Sequence, residues 1–269
     1  MDLNKLYCMD NLKLMKQLPS NSIDLIYGDI LYGTGRNFGD YQDLPADRKV
    51  IEEFYIPRIK EMYRLLKDTG SIYLQMDYRI NHWIRIILDD IFGYDNFRNE
   101  IIYNVIKGGV PKNDYSKAHD IILRYSKTKE YHYKKQYAKH KMSAEKRYNK
   151  IDENGKRYKI YNKNGKQYKS YYKGGKLVND VWDDINLIVK NSEEYQDYPT
   201  QKPKKLLERI IKASSNAGDI IFDPFIGSGT TIVVAEELNR KWIGCDINPK
   251  SIEITNKRLS SLQKKLFAI

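Results

Sequence analysis

The chain has 269 residues, 41% hydrophobic and 30% charged, which suits one large domain with a sizeable core and an insertion. No apolar run is long enough to span a membrane, the first residues lack a charged-then-apolar leader pattern, and two cysteines with four histidines exclude a disulfide framework and disfavour a metal centre. The net charge of +12 is concentrated: residues 131–176 hold fifteen Lys and Arg, three Asp and Glu and nine of the 23 tyrosines, whereas the remaining chain holds 32 residues of each sign. A basic segment interleaved with aromatics suits contact with a polyanion, so a cytoplasmic protein that touches no membrane is expected.

In chain order, Leu3–Cys8 predicts a strand, and Asp10 an N-cap for a helix through Leu18 with Leu12, Met15 and Leu18 on one face. Ile23–Tyr27 reads as a strand ending at Gly28-Asp29. Residues 30–47 hold three glycines and Pro45, a loop long enough to suggest a function. Ile51, Phe54, Tyr55, Ile59, Met62 and Leu66 predict an amphipathic helix over 49–67, interrupted at Pro57. Gly70–Met76 is a predicted strand, followed by a helix through Phe92 and strands at 97–106 and 119–125. Asn154-Gly155-Lys156-Arg157-Tyr158-Lys159 recurs ten residues on as Asn164-Gly165-Lys166-Gln167-Tyr168-Lys169. Asn-Gly turns between alternating flanks predict a small meander of β-hairpins with a basic, aromatic face. After Asp180 come a helix at 202–215, strand Ile220–Phe222, a helix at 228–238, strand Lys241–Cys245 and a helix at 249–266. This alternation predicts an α/β fold: a Rossmann-like sandwich with a mostly parallel sheet and helices on both faces.

Three blocks carry chemistry. Asp223-Pro224-Phe225-Ile226-Gly227-Ser228-Gly229-Thr230-Thr231 links an apolar strand to an apolar helix, and its glycines permit close backbone approach to a ligand at a helix N-terminus. Asp246, at the end of the next strand, can accept hydrogen bonds from ribose hydroxyls, so the pair suggests a nucleoside-containing cofactor. The block lacks the third glycine of a dinucleotide fingerprint and the Gly-Lys-Ser/Thr of a P-loop. Asp29-Ile30-Leu31-Tyr32 places a carboxylate and an aromatic ring at a strand's carboxyl end, where α/β sheets bind ligands. Tyr198-Pro199-Thr200-Gln201-Lys202-Pro203 opens a helix.

The order of these blocks resembles the β-class of S-adenosylmethionine-dependent DNA amino-methyltransferases. Leu66–Tyr73, Phe97–Ile102 and Trp242–Asn248 resemble that class as well. The resemblance implies methyl transfer from S-adenosyl-L-methionine to the N6 amine of a flipped-out adenine in double-stranded DNA. The alternatives are a cytosine-N4 methyltransferase and an inactive DNA-binding subunit. Asp29, the carbonyl of Ile30 and Tyr32 are the implied catalytic groups. Asp10, Asp29, Thr200, Lys202, Asp223, Phe225, Gly227, Ser228, Gly229, Thr230, Asp246 and Asn248 are the implied cofactor contacts. Lys202 is assigned to the methionine carboxylate and Asp10 to the adenine. For DNA, Arg36, Lys107, Lys112, Lys156, Arg157, Lys159, Lys166 and Lys169 are the candidates. The implied layout is a catalytic half over 1–106, a β-rich target-recognition insertion over 107–190 and a cofactor half over 191–269. A homodimer and a cognate restriction endonuclease are the further partners the resemblance raises. Ile30 and Leu31 depart from the family's two prolines, which predicts a less rigid catalytic block.

Overall fold

A computed structural model describes residues 1–37, 42–105, 111–138, 147–173, 175–198 and 200–267. The chain divides into two compact units, Met1–Lys134 with Asp180–Ile269, and Lys135–Asn179. The elements in order are β1 (Lys5–Cys8), α1 (Asn11–Met15), β2 (Ile23–Asp29), α2 (Arg48–Leu65), β3 (Leu66–Met76), α3 (Asn81–Phe92), β4 (Phe97–Asn104) and β5 (His119–Ser126). The second unit contributes β6 (Tyr137–Ala138), β7 (Lys150–Ile151), β8 (Arg157–Lys163), β9 (Lys166–Tyr171) and β10 (Lys176–Leu177). The chain then returns through β11 (Val181–Trp182), α4 (Lys204–Ser214), β12 (Ile220–Asp223), α5 (Thr230–Glu237), β13 (Lys241–Asp246) and α6 (Pro249–Phe267).

The first unit is built on an eight-stranded sheet of order β1-β13-β12-β2-β3-β5-β4-β11. Neighbours pair in parallel except β3 with β5 and β5 with β4. Successive residues of β3 serve opposite faces. Ile72, Leu74 and Met76 join the cluster that buries Tyr55, Ile59 and Met62 of α2 with Ile84 and Leu88 of α3. Tyr73 points the other way, and its hydroxyl meets Ser214 of α4 at 2.7 Å. Helices therefore cover both faces, which explains why the interior strands read as near-continuous apolar runs.

Strand order reverses between β2 and β12: the chain leaves β2 for β3 on one side and β12 for β13 on the other. The carboxyl ends of these neighbours, at Asp29 and Asp223, therefore flank a crevice not covered by a crossover. The first helix is shorter than expected, ending at Met15, and it buries Leu14 rather than Leu12. Pro57 lies inside α2, which continues through it. β5 is an interior strand and β11 an edge strand of the main sheet, so the separate unit is narrower than 107–190. Its flanks are held by the core: Lys134 N–H donates to the Ala213 carbonyl at 2.7 Å, and the Asp180 carbonyl accepts from Ile102 N–H at 2.8 Å. Among the described residues, no helix is long and apolar enough to cross a membrane.

The second unit contains the antiparallel sheet β7-β8-β9 and the antiparallel pair β6-β10. Asn164 and Gly165 join β8 to β9 with φ of 52° and 75°, the two-residue turn its Asn-Gly predicts. Cross-strand partners share a face, so Arg157, Lys159, Tyr161 and Lys163 stand with Lys166, Tyr168 and Ser170. Lys169 stands on the other face with Tyr158, Ile160 and Tyr171, its ammonium 4.9 Å from the Tyr158 ring centroid.

Candidate active site

A cleft of about 610 Å³ opens at the reversal point, lined on one side by Asp29–Tyr32 and on the other by Pro224, Phe225, Gly227 and Asp246–Pro249. Asp223 lies behind it, in a small cavity shared with Asp29, Lys202, Ser228 and Thr230. Ordinary strand register thus brings three carboxylates, each ending a parallel strand, to one region.

The loop after β12 is built by close approach. Gly229 has φ of 76°, and a Cβ there would lie 2.2 Å from Thr255 Oγ1. Gly227 has φ of 49°, with the Tyr198 ring 3.3 Å from where its Cβ would stand. Asp223 accepts from Phe225 N–H at 2.9 Å, and Asp246 accepts from Gly227 N–H and Asn248 N–H, each at 2.9 Å. Asp246 therefore organises the loop as well as facing the cleft. Burial raises the Asp223 carboxyl to about 7 and pushes Asp246 above the usual carboxylate range. Ser228 and Thr230 are buried rather than cleft-facing, because Arg258 of α6 donates to the Ser228 carbonyl at 2.6 Å and to Thr230 Oγ1 at 3.0 Å.

Asp10 caps α1, accepting from Lys13 N–H at 3.1 Å, and pairs with Arg58 at 2.7 Å. The Arg58 guanidinium also donates to Asn11 at 2.8 Å and lies 3.6 Å from the Phe54 ring centroid. Asn11 in turn donates to the Pro224 carbonyl at 2.9 Å. Asn11, Phe54 and Arg58 line the cleft, although sequence reasoning assigned none of them; Phe54 and Arg58 stand one helical turn apart on α2.

The catalytic block is tightly held. Ile30, 2% exposed, donates its N–H to the Gln75 carbonyl at 3.0 Å, one residue beyond the β2–β3 ladder. Leu31 donates its N–H to the Tyr55 hydroxyl at 3.0 Å. Prolines could make neither bond, so fixed backbone contacts replace fixed dihedrals and the expected loss of rigidity is compensated. Asp29 is ion-paired with Lys202 and accepts from the Tyr32 hydroxyl at 2.9 Å. Burial raises the Asp29 carboxyl above its usual range and Lys202 opposes that rise. Lys202 also donates to the Thr200 carbonyl at 3.1 Å and lies 5.4 Å from the Tyr32 ring centroid. Lys202, expected on a cofactor carboxylate, is thus Asp29's counter-ion here. Thr200 has φ of 67°, a costly conformation for a β-branched residue at the cleft wall. Asp120 of β5, which sequence reasoning also missed, accepts from the Tyr32 hydroxyl at 2.9 Å.

Of the DNA candidates, Arg36, Lys112, Lys156, Arg157, Lys166 and Lys169 are exposed and Lys159 is half-buried, whereas Lys107 lies outside the described residues.

An α/β sandwich with a glycine loop and acidic strand ends at its reversal point belongs to the Rossmann-like enzymes that hold a nucleoside-bearing ligand. The sequence profile of the DNA methylase family, the N6/N4 methyltransferases, matches residues 23–257. The Type II methyltransferase M.HpaI of Haemophilus parainfluenzae is 34% identical over 258 residues, which cover 96% of this chain and 74% of that protein. The DNA adenine methyltransferase YhdJ of Escherichia coli K12 is 32% identical, over 93% of this chain and 80% of its own. In structure, TTHA0409 of Thermus thermophilus, described as a DNA modification methylase in complex with S-adenosyl-L-methionine, superposes with a TM-score of 0.61. It is 18% identical, with 96% of this chain and 93% of that one covered, a likeness of fold. The chain belongs to the DNA methylase family.

Proposed function

We propose that the protein methylates the N6 amine of adenine in double-stranded DNA, with S-adenosyl-L-methionine as the methyl donor. The observation that carries this is Asp29, whose carboxylate stands beside the Ile30 carbonyl and the Tyr32 ring at the mouth of a cleft with Asp246 on its opposite wall. The cleft fits the cofactor. Gly227 leaves space that a side chain would fill, Asp246 and Asp10 are hydrogen-bond acceptors for a nucleoside, and Phe225, Phe54 and Ile247 are apolar walls. Asp246 is assigned to the ribose, Asp10 to the adenine, and the 223–231 loop to the methionine side. When bound, the cofactor supplies an electrophilic methyl group on a sulfonium.

The chain's own residues prepare the nucleophile. An exocyclic amine is weak because its lone pair is delocalised into the ring. Asp29 and the Ile30 carbonyl accept its two N–H bonds, which turns the lone pair out of the ring plane. Tyr32 stacks on the flipped base and fixes its position, so that methyl transfer becomes an effectively unimolecular step. Lys202 keeps Asp29 ionised for that role. Asp rather than Ser at position 29, and the likeness to an adenine methyltransferase, favour adenine over cytosine. Residues 1–106 then act as the catalytic half and 191–269 as the cofactor half. The basic segment within 107–190 supplies backbone contacts to DNA.

The test is transfer of label from the methyl donor to duplex DNA, with the digested nucleosides separated. N6-methyladenosine is the expected product. N4-methylcytosine would change the base assignment, and no transfer would overturn the proposal. Asp29→Ala should abolish transfer while calorimetry still detects cofactor binding.

A further inference from the structure

The Tyr32 hydroxyl stands between two carboxylates, 2.9 Å from Asp29 Oδ1 and 2.9 Å from Asp120 Oδ2. A phenol has one proton to give. Asp120 is 4% exposed, and a chain of donors running from β2 through β3 fixes its Oδ2. Tyr27 donates to Gln75 Oε1 at 2.7 Å, which turns the Gln75 amide so that its Nε2 donates to Asp120 Oδ2 at 2.9 Å. With both carboxylates ionised, the oxygen that does not receive the phenol proton faces a phenol lone pair at hydrogen-bond distance, an unfavourable contact in a buried site. A proton donor arriving at Asp29 relieves it, and an amine N–H is such a donor.

We infer that Asp120 is a positioning residue for methyl transfer: it holds the Tyr32 proton while the target amine occupies Asp29. Tyr32 then keeps its place under the base, and Asp29 Oδ1 is open to the amine. Rotation about the phenol C–O bond is enough, and no covalent bond is made or broken. The inference rests on the proposed reading of Asp29. The groups that act on Asp29 are Lys202, Asp120, Asp223, Tyr27, Tyr32 and Tyr103. Among them the negative charge of Asp120 holds the Asp29 carboxyl up, against Lys202.

The experiment compares wild type, Asp120→Asn, Tyr32→Phe and the double variant over a range of pH. Asp120→Asn is expected to lower kcat by about tenfold with cofactor affinity unchanged, and to move the acid limb of the rate profile to lower pH. In the Tyr32→Phe background the same change should cost less than about threefold, because no phenol proton is left to place. Asp120→Glu, which keeps the charge, should move the limb back. Asp120→Ser carries the same readouts if the amide variant does not fold. An unmoved limb with an undiminished cost in the Tyr32→Phe background would overturn the inference and make Asp120 a structural residue. If wild type transfers no methyl group, the proposed function fails separately. Carboxyl-carbon NMR titration of Asp29 then decides the inference: a lower midpoint in Asp120→Asn supports it, and an equal one overturns it.

Discussion

The Tyr55 hydroxyl and the Leu31 backbone hold each other, with the Leu31 N–H donating at 3.0 Å and its carbonyl 3.4 Å from the same oxygen. This contact stands where a proline ring would otherwise restrict the chain. Tyr55→Phe leaves the Leu31 N–H without that acceptor, at a cost of about 1–2 kcal/mol. The variant should unfold at a lower temperature and transfer methyl groups several-fold more slowly, with cofactor affinity retained. Thermal denaturation and single-turnover kinetics measure both effects. A lower melting temperature with an unchanged rate would show that the block keeps its geometry without Tyr55.

Lys202 gives a prediction with a definite sign in pH. It lowers the Asp29 carboxyl against the effect of burial, and methyl transfer requires Asp29 ionised. Lys202→Met removes the counter-ion, so the acid limb of the rate profile should move to higher pH. Activity should fall most at low pH and recover toward alkaline pH. An equal loss at every pH would assign Lys202 to binding rather than to the ionisation of Asp29.

Asp223 should cost stability as pH rises. Its folded value of about 7 lies above the unfolded reference of 3.8, so ionisation penalises the folded state through that window. The penalty grows from about pH 4 to about pH 7, levels off above, and amounts to a few kcal/mol. Asp223→Asn should therefore melt several degrees above wild type at pH 8, with the gap closing toward pH 4. A constant gap would show that ionisation of Asp223 is not its source.

The hairpin separates its charges by face. Arg157, Lys159, Lys163 and Lys166 share one face with Tyr161 and Tyr168, whose rings stack at 5.7 Å, while Lys169 is on the other. Alanine at the four cations should weaken binding to duplex DNA and flatten the dependence of log affinity on log salt, by about 0.9 for each phosphate left unpaired. Lys169→Ala should change the slope far less. Equal slopes for the two variants would place the DNA surface elsewhere.

The sequence was most legible where periodicity and turn chemistry act locally. The alternation of strands and helices, the Asn-Gly hairpin and the glycine loop at 227–229 all follow from such rules, and the structure has them. Two classes of information were not local. Asp120, Gln75 and Tyr55 enter the site only because β5, β3 and α2 are neighbours of β2 in space, and nothing near them in sequence marks them. Lys202 was assigned from its motif alone; its pairing with Asp29 joins residues 173 positions apart. The reversal of strand order that makes the crevice is likewise a property of the whole sheet.

The bonds of Lys134 to Ala213 and of Asp180 to Ile102 have an evolutionary consequence. Both stems of the Lys135–Asn179 unit are anchored by the core's own backbone rather than by the segment between them. With DNA recognition assigned to that segment, a lineage can exchange it as a cassette, keeping the chemistry while acquiring a new target. The chimera to build joins a relative's segment at positions 134 and 180, and it should inherit the relative's target sequence with this chain's catalytic machinery.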